Sequence, residues 1–262
     1  MLTKDFKNKQ FKGEKMLRKI RIKIFLVSTI LALTIGISNS TLADDVVDDF
    51  QFWGNITATG SFDAINPKLK WWMEGQGRFG NDSSRFSQGI IRPGIGYALT
   101  ENTSVWLGYA WIPTSRPFAA NKAFNENRIW QQLLWSKRYS FGSITSRTRL
   151  EQRFFDFHRS GSTADGHGHR FRQFLKLTVP MPSVSPNLSF VVLDEIFINM
   201  NNVDTGARAG FNQNRAFGGF AWRFNKFTVG EIGYLHQYFN RPASPRPDQQ
   251  QHILAVNLFL NF

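Results

Sequence analysis

The chain has 262 residues, with 32 Lys+Arg against 19 Asp+Glu and no cysteine. The absent thiols exclude a disulfide framework, a cysteine nucleophile and cysteine-based metal sites. Nine of the basic and two of the acidic residues fall in residues 1–43, so residues 44–262 keep 23 and 17 and a net charge of +6 instead of +13; the basic extreme belongs to the first segment and does not argue for nucleic acid.

That first segment reads as an export signal. Residues 1–15 are polar and basic, as an upstream start would be. Met16 opens a better one: Leu17-Arg18-Lys19-Ile20-Arg21-Ile22-Lys23 is a positive n-region, Ile24 to Ile37 an apolar run of 14 residues, and Thr41-Leu42-Ala43 a small-residue cleavage site. A permanent anchor, the alternative, needs ~20 apolar residues. The expectation is a cleaved signal peptide over 1–43 and one exported domain over 44–262, which would not meet nucleic acid.

From residue 44 on, no window resembles a spanning helix. Period-two runs recur instead, each ended by Gly, Pro, Asn, Asp or Ser. Such alternation sends successive side chains to opposite faces of a strand. Residues 50–62 are the first run. Asn66-Pro67 turns the chain into 68–79, where Lys68, Lys70, Trp72, Glu74, Gln76 and Arg78 share a face. Gly80-Asn81-Asp82-Ser83-Ser84 leads to 85–99, with a bulge or kink expected at Pro93. A tight turn at 100–103 precedes 104–112, and a long connection, 113–126, contains Pro113 and Pro117. Strand 127–137 and a short turn lead to 140–156. There Ser143, Thr145, Arg147, Arg149, Glu151 and Arg153 alternate with a mostly apolar face of Ile144, Thr148, Leu150 and Phe154. Strands 169–180, 187–199, 213–224, 227–239 and 250–262 follow, with Asn225-Lys226 read as a two-residue hairpin turn. Their connections alternate long and short, as in transmembrane barrels.

The last run puts His252, Leu254, Val256, Leu258, Leu260 and Phe262 on one face. An amphipathic final strand ending in an aromatic resembles the signal read by bacterial barrel-assembly machinery, and Phe262 is the candidate for that role. Trp53, Trp111, Trp135, Trp222 and Tyr238, near strand ends, suit interfacial girdles. Mean hydropathy is slightly negative, which agrees, because only alternate residues of a barrel strand meet lipid. The expected fold is all-β: an antiparallel up-and-down transmembrane β-barrel. Bacterial single-chain barrels have even strand numbers. The eleven runs therefore predict ten membrane strands, with 50–62 set aside, or twelve with one run unrecognised. A soluble periplasmic β-sandwich binding protein is the alternative.

Several segments together resemble a known family. They are Glu126-Asn127-Arg128-Ile129-Trp130-Gln131-Gln132, Arg147-Thr148-Arg149-Leu150-Glu151-Gln152-Arg153, Arg170-Phe171-Arg172-Gln173, Asp194-Glu195-Ile196-Phe197-Ile198-Asn199, Asn214-Arg215 and Gly233-Tyr234-Leu235-His236-Gln237. Their combination and order are similar to the bacterial domain-of-unknown-function family numbered 2490, over residues 49–262. The resemblance implies an exported protein of the outer-membrane barrel kind, and no activity.

The polar residues of these segments supply the candidate site. Arg or Lys facing lipid near the midplane costs ~2–4 kcal/mol, so such side chains should point inward. The candidate lumen residues are Arg128, Arg147, Arg149, Glu151, Arg153, Arg170, Arg172, Glu195, Arg215, Glu231 and Gln237. Basic groups outnumber acidic ones. The lumen is then either a structural plug or a narrow pathway for a small anionic solute. Asp194 conflicts with this picture. Alternation sets it with Leu188, Phe190, Val192, Ile196 and Ile198 on the lipid face, so a bulge or a protein cover is expected there. An enzyme reading rests on His158, Ser160 and Ser162 near the outer rim, as in a lipid or lipopolysaccharide hydrolase. No recognisable motif gives that serine a base and an orienting group. His167-Gly168-His169 has no third ligand fixed by spacing, so no metal is assigned. Gly75-x-Gly77-x-x-Gly80 opens no helix, so no cofactor is assigned either. The expected partners are outer-membrane lipid and lipopolysaccharide, the assembly machinery and the candidate anion.

Overall fold

The chain divides into two units, Met1–Ala43 and Asp44–Phe262. The computed structural model describes residues 47–116, 118, 123–156, 166–203, 207–241 and 248–262, all in the second unit. The predicted signal peptide lies outside the described residues.

Eleven strands follow one another: β1 (Val47–Phe62), β2 (Asn66–Gly80), β3 (Arg85–Ala98), β4 (Thr103–Thr114), β5 (Phe124–Tyr139), β6 (Gly142–Asp156), β7 (Gly166–Pro180), β8 (Leu188–Asn199), β9 (Gly210–Arg223), β10 (Thr228–Phe239) and β11 (Gln249–Asn261). Each pairs antiparallel with its neighbours in sequence, and β1 closes the sheet on β11. One closed sheet overturns the sandwich alternative.

The strand count corrects the parity argument. An odd number of alternating strands brings the first and last together pointing the same way. β1 and β11 accordingly form a parallel ladder of thirteen residue pairs, from Val47↔Gln249 to Thr59↔Asn261. Closure requires only that both edges find hydrogen-bonding partners, and a parallel edge provides them. Residues 50–62 are therefore a full barrel strand, and the barrel is neither ten- nor twelve-stranded nor wholly antiparallel. The start of β1 lies at the rim opposite Phe262, whose backbone N–H donates to Thr59 O at 2.8 Å.

Three local expectations also change. Pro93 keeps register with Met73 on one side, and the β3–β4 ladder passes it between Ile91↔Trp111 and Gly94↔Gly108 without a shift. The register shifts fall instead at Ser61/Phe62, Arg78/Phe79 and Phe197/Ile198. Asp194 therefore gains no bulge of its own. The hairpin between β9 and β10 is longer than two residues: Asn225 Oδ1 accepts the backbone N–H groups of Phe227 and Thr228 at 2.8 and 2.9 Å.

Register fixes the two walls. Odd-numbered residues point inward in β1, β6 and β8–β11, and even-numbered ones in β2–β5 and β7. The outer wall shows Ile56, Met73, Ile91, Leu107, Leu133, Leu150, Phe220, Ile232 and Leu254, all exposed. The inner wall holds two apolar clusters, one around Trp53, Phe217 and Ile253 and one around Ile90, Trp106, Ile112 and Trp130. The Trp130 indole lies on inward-facing Gly94 and Gly108, where a Cβ would overlap the ring. Glycine there lets a large ring lie flat against the wall.

Candidate functional site in the barrel lumen

Between the two rims the inner wall carries Lys70, Arg78, Arg92, Arg128, Arg147, Arg149, Arg153, Arg170, Arg172, Lys176 and Arg215 against Glu74, Glu126, Glu151, Glu195 and Glu231. A charge buried without a partner is costly, whereas one that is paired and hydrogen-bonded persists. Most of these are paired. Glu126 accepts from Arg128 (Nε–Oε1 2.5 Å, Nη2–Oε2 2.8 Å) and from Arg153 (2.5 and 3.1 Å). Glu151 accepts from Arg170 Nη2 and Arg172 Nη1, both at 2.6 Å, and lies 3.7 Å from Arg128 Nη1. Glu195 accepts from Arg172 Nη2 at 2.7 Å and Arg147 Nη2 at 2.8 Å. The result is one chain of alternating charge, Arg153–Glu126–Arg128–Glu151–Arg172–Glu195–Arg147, running over β5, β6, β7 and β8.

Two further pairs complete the acids. Arg92 Nη1 donates to both carboxylate oxygens of Glu74 at 2.7 and 2.9 Å. Lys176 on β7 pairs with Glu231 on β10; those strands are not neighbours, so this bridge crosses the lumen.

Three of these inner-wall arginines have no carboxylate within ion-pair distance among the described residues. Arg78 donates to Gln88 and Gln76, each at 2.8 Å, and stacks 3.8 Å from the Trp53 ring centre. Arg149, fully buried, donates to Gln132 Oε1 at 3.0 and 2.6 Å and faces Trp130 at 4.7 Å. Arg215 donates to Gln237 at 2.5 Å and lies between the Trp53 and Phe197 rings at 5.0 and 4.7 Å. Amides and ring faces stabilise a guanidinium but leave its charge uncancelled. Seven buried side-chain atoms find no hydrogen-bond partner in the described protein, and five are donors on this wall: Arg78 Nε, Arg92 Nε, Arg147 Nε, Arg149 Nη1 and Gln132 Nε2.

The enclosed space is a cavity of about 980 Å³. Toward the Phe262 rim its walls mix apolar side chains, Trp72, Trp106, Phe174, Leu193, Phe217 and Phe259, with the charged Lys70, Lys176 and Glu231. In the middle and toward the opposite rim the arginine–glutamate network lines it, with Arg78, Arg92, Glu126, Arg128, Arg153, Arg170 and Arg172.

The eleven candidate lumen residues all lie on this inner wall. Sequence reasoning missed Arg78, Glu74, Arg92, Glu126 and Gln132 as members of the network. The alternation of 68–79 already set Glu74 beside Arg78, but the partner Arg92 is brought in only by the β2–β3 register. Asp194 does face outward, where it accepts from Asn214 Nδ2 at 2.9 Å. His167 is exposed and stacks on Phe154 at 4.7 Å between ring centres. His158, Ser160 and Ser162 lie outside the described residues. Phe262 is exposed on the outer wall and stacks between Trp71 and Phe227, each 6.0 Å away.

Residues 50–249 match the model of a family described as proteins of unknown function, DUF2490. An uncharacterized protein of Methylorubrum extorquens is 32% identical over 217 residues, covering 82% of this chain and 89% of that protein. Among solved structures, the NanC porin in a rhombohedral crystal form is similar with a TM-score of 0.45 and 12% identity, over 81% of this chain and 99% of that one.

Proposed function

The chain belongs to the DUF2490 family, and from that premise we propose that it is an exported outer-membrane barrel whose lumen is a narrow pathway preferring small anions. The buried arginine network is the constriction. A bilayer is crossed by about 9–11 tilted strand residues, and these strands run from 12 to 16. The apolar outer wall supports lipid contact. Phe262, at the rim of the short turns, is the group offered to the assembly machinery, and the opposite rim is the one offered to lipopolysaccharide.

One observation carries the anion preference: Arg78, Arg149 and Arg215 point inward with amides and rings as partners in place of carboxylates. Fixed positive charge on the inner wall lowers the energy of an anion in a narrow pore and raises that of a cation. The test is conductance in planar bilayers under a salt gradient. Wild-type protein should pass small anions over cations, and Arg147→Glu with Arg149→Glu should move the reversal potential toward cations. A correctly folded barrel that inserts and stays silent would overturn the pathway and leave the network as a structural plug. Recovery in the soluble periplasm without detergent would overturn the membrane reading itself.

A further inference from the structure

The segments that build the lumen network also carry polar residues that the strands send the other way. Gln131, Thr148, Gln152, Gln173, Asp194 and Asn214 point to the outer wall, across β5 to β9. They are linked to one another there. Gln131 and Gln152 exchange amide hydrogen bonds at 2.9 and 3.1 Å. Thr148 Oγ1 donates to Gln173 Oε1 at 2.7 Å, and Asp194 accepts from Asn214.

The belt lies at mid-height. Gln173 is the eighth of fifteen residues of β7, Asp194 the seventh of twelve of β8 and Gln131 the eighth of sixteen of β5. In a membrane barrel this level faces acyl chains, which offer no hydrogen bonds, and ionisable groups there mark a protein-covered or functional position. The other side of the barrel behaves differently: at the same level β1 to β4 show Gly54, Met73, Ile91 and Leu107. The polar belt is therefore confined to the β5–β9 face at this level, where it interrupts an otherwise apolar wall.

Its layout is self-complementary. The belt is centred on β7, with β6 and β5 on one side and β8 and β9 on the other. A two-fold axis parallel to the barrel axis and passing in front of Gln173 keeps every residue at its own height. It sets β8 against β6 of a second copy and β9 against β5. The Asp194 carboxylate, an acceptor only, then meets the hydroxyls of Thr148 and Ser146. Gln173 meets its own copy, as an amide can, being donor and acceptor at once. Exposed Leu133, Leu150 and Leu175 surround the belt and supply the apolar contact that excludes lipid from it. We propose that the outer face of β5–β9 is the interface of a two-fold homodimer, with a second copy of this chain as the occupant that satisfies Asp194. This inference rests on the membrane reading above.

The chain has no cysteine, so single cysteines report cleanly. Full-length Gln173→Cys, oxidised in the outer membrane, should give most of the protein as a band of twice the monomer mass that reductant removes. Met73→Cys, exposed at the same height on the opposite face, should stay monomeric. Coexpressed Thr148→Cys and Asp194→Cys chains should cross-link to each other several-fold more than either does to itself. If Gln173→Cys fails to fold, light scattering on the detergent-extracted wild type decides, with the dimer mass expected. A monomer mass overturns the proposal, as does a cross-link of Gln173→Cys to a different protein. Recovery in the outer-membrane fraction, scored on the same samples, separates failure of the interface from failure of the membrane reading.

Discussion

Glu151 shows what a single residue contributes in this lumen. It is 1% exposed and touches Arg170, Arg172 and Arg128. Removing one member of a buried ion cluster leaves its partners desolvated and uncompensated, which costs about 3–5 kcal/mol. Glu151→Gln keeps the shape and removes the charge. The expected outcome is a clear drop in the urea midpoint of the refolded barrel, against a small change for Glu231→Gln, whose partner Lys176 keeps more access to the cavity. Equal midpoints for Glu151→Gln and wild type would contradict the structural weight given to this carboxylate. The arginine stripe on β6 was legible in the sequence because alternation is a property of the strand alone. Which glutamate its arginines meet was not, because the partners sit 27 and 48 residues away, as in Arg153–Glu126 and Arg147–Glu195.

At the scale of the element, the informative strand is β1. Its sequence marks it as a strand but does not say where it pairs. A ten-strand barrel would close β2 on β11, whereas here β1 lies between them and runs parallel to β11. Gly54 and Val256 are partners in that seam and both face outward. The double variant Gly54→Cys with Val256→Cys should cross-link within one chain under mild oxidation, visible as a mobility shift reversed by reductant. A barrel closed by β2 would leave the two cysteines unlinked, and their failure to join in folded protein would remove the parallel seam. The turn between β9 and β10 teaches the same lesson in miniature. Asn225-Lys226 carries a hairpin signal, but the length of the turn is set by where the ladders of β9 and β10 end.

At the scale of the whole molecule, the outer wall is divided. One face is apolar at mid-height and the other carries the belt around Gln173 and Asp194. The barrel as a unit should resist detergent until heated. Unboiled wild-type protein should migrate differently from boiled protein on a gel, and identical migration would argue against a closed membrane barrel.

Alternation, turn residues and the arginine-rich segments determined by themselves that this is an all-β protein of repeated amphipathic strands with charge on one side, because the face a side chain takes depends only on its own strand. Asp194 was already visible there as an outward carboxylate. The tertiary structure decided the rest: eleven strands closed by a parallel seam, the long alternating-charge chain from Arg153 to Arg147, and the surplus of Arg78, Arg149 and Arg215 over the acids that face them. Each of those depends on the register of one strand against another, which the alternation within a single strand does not specify.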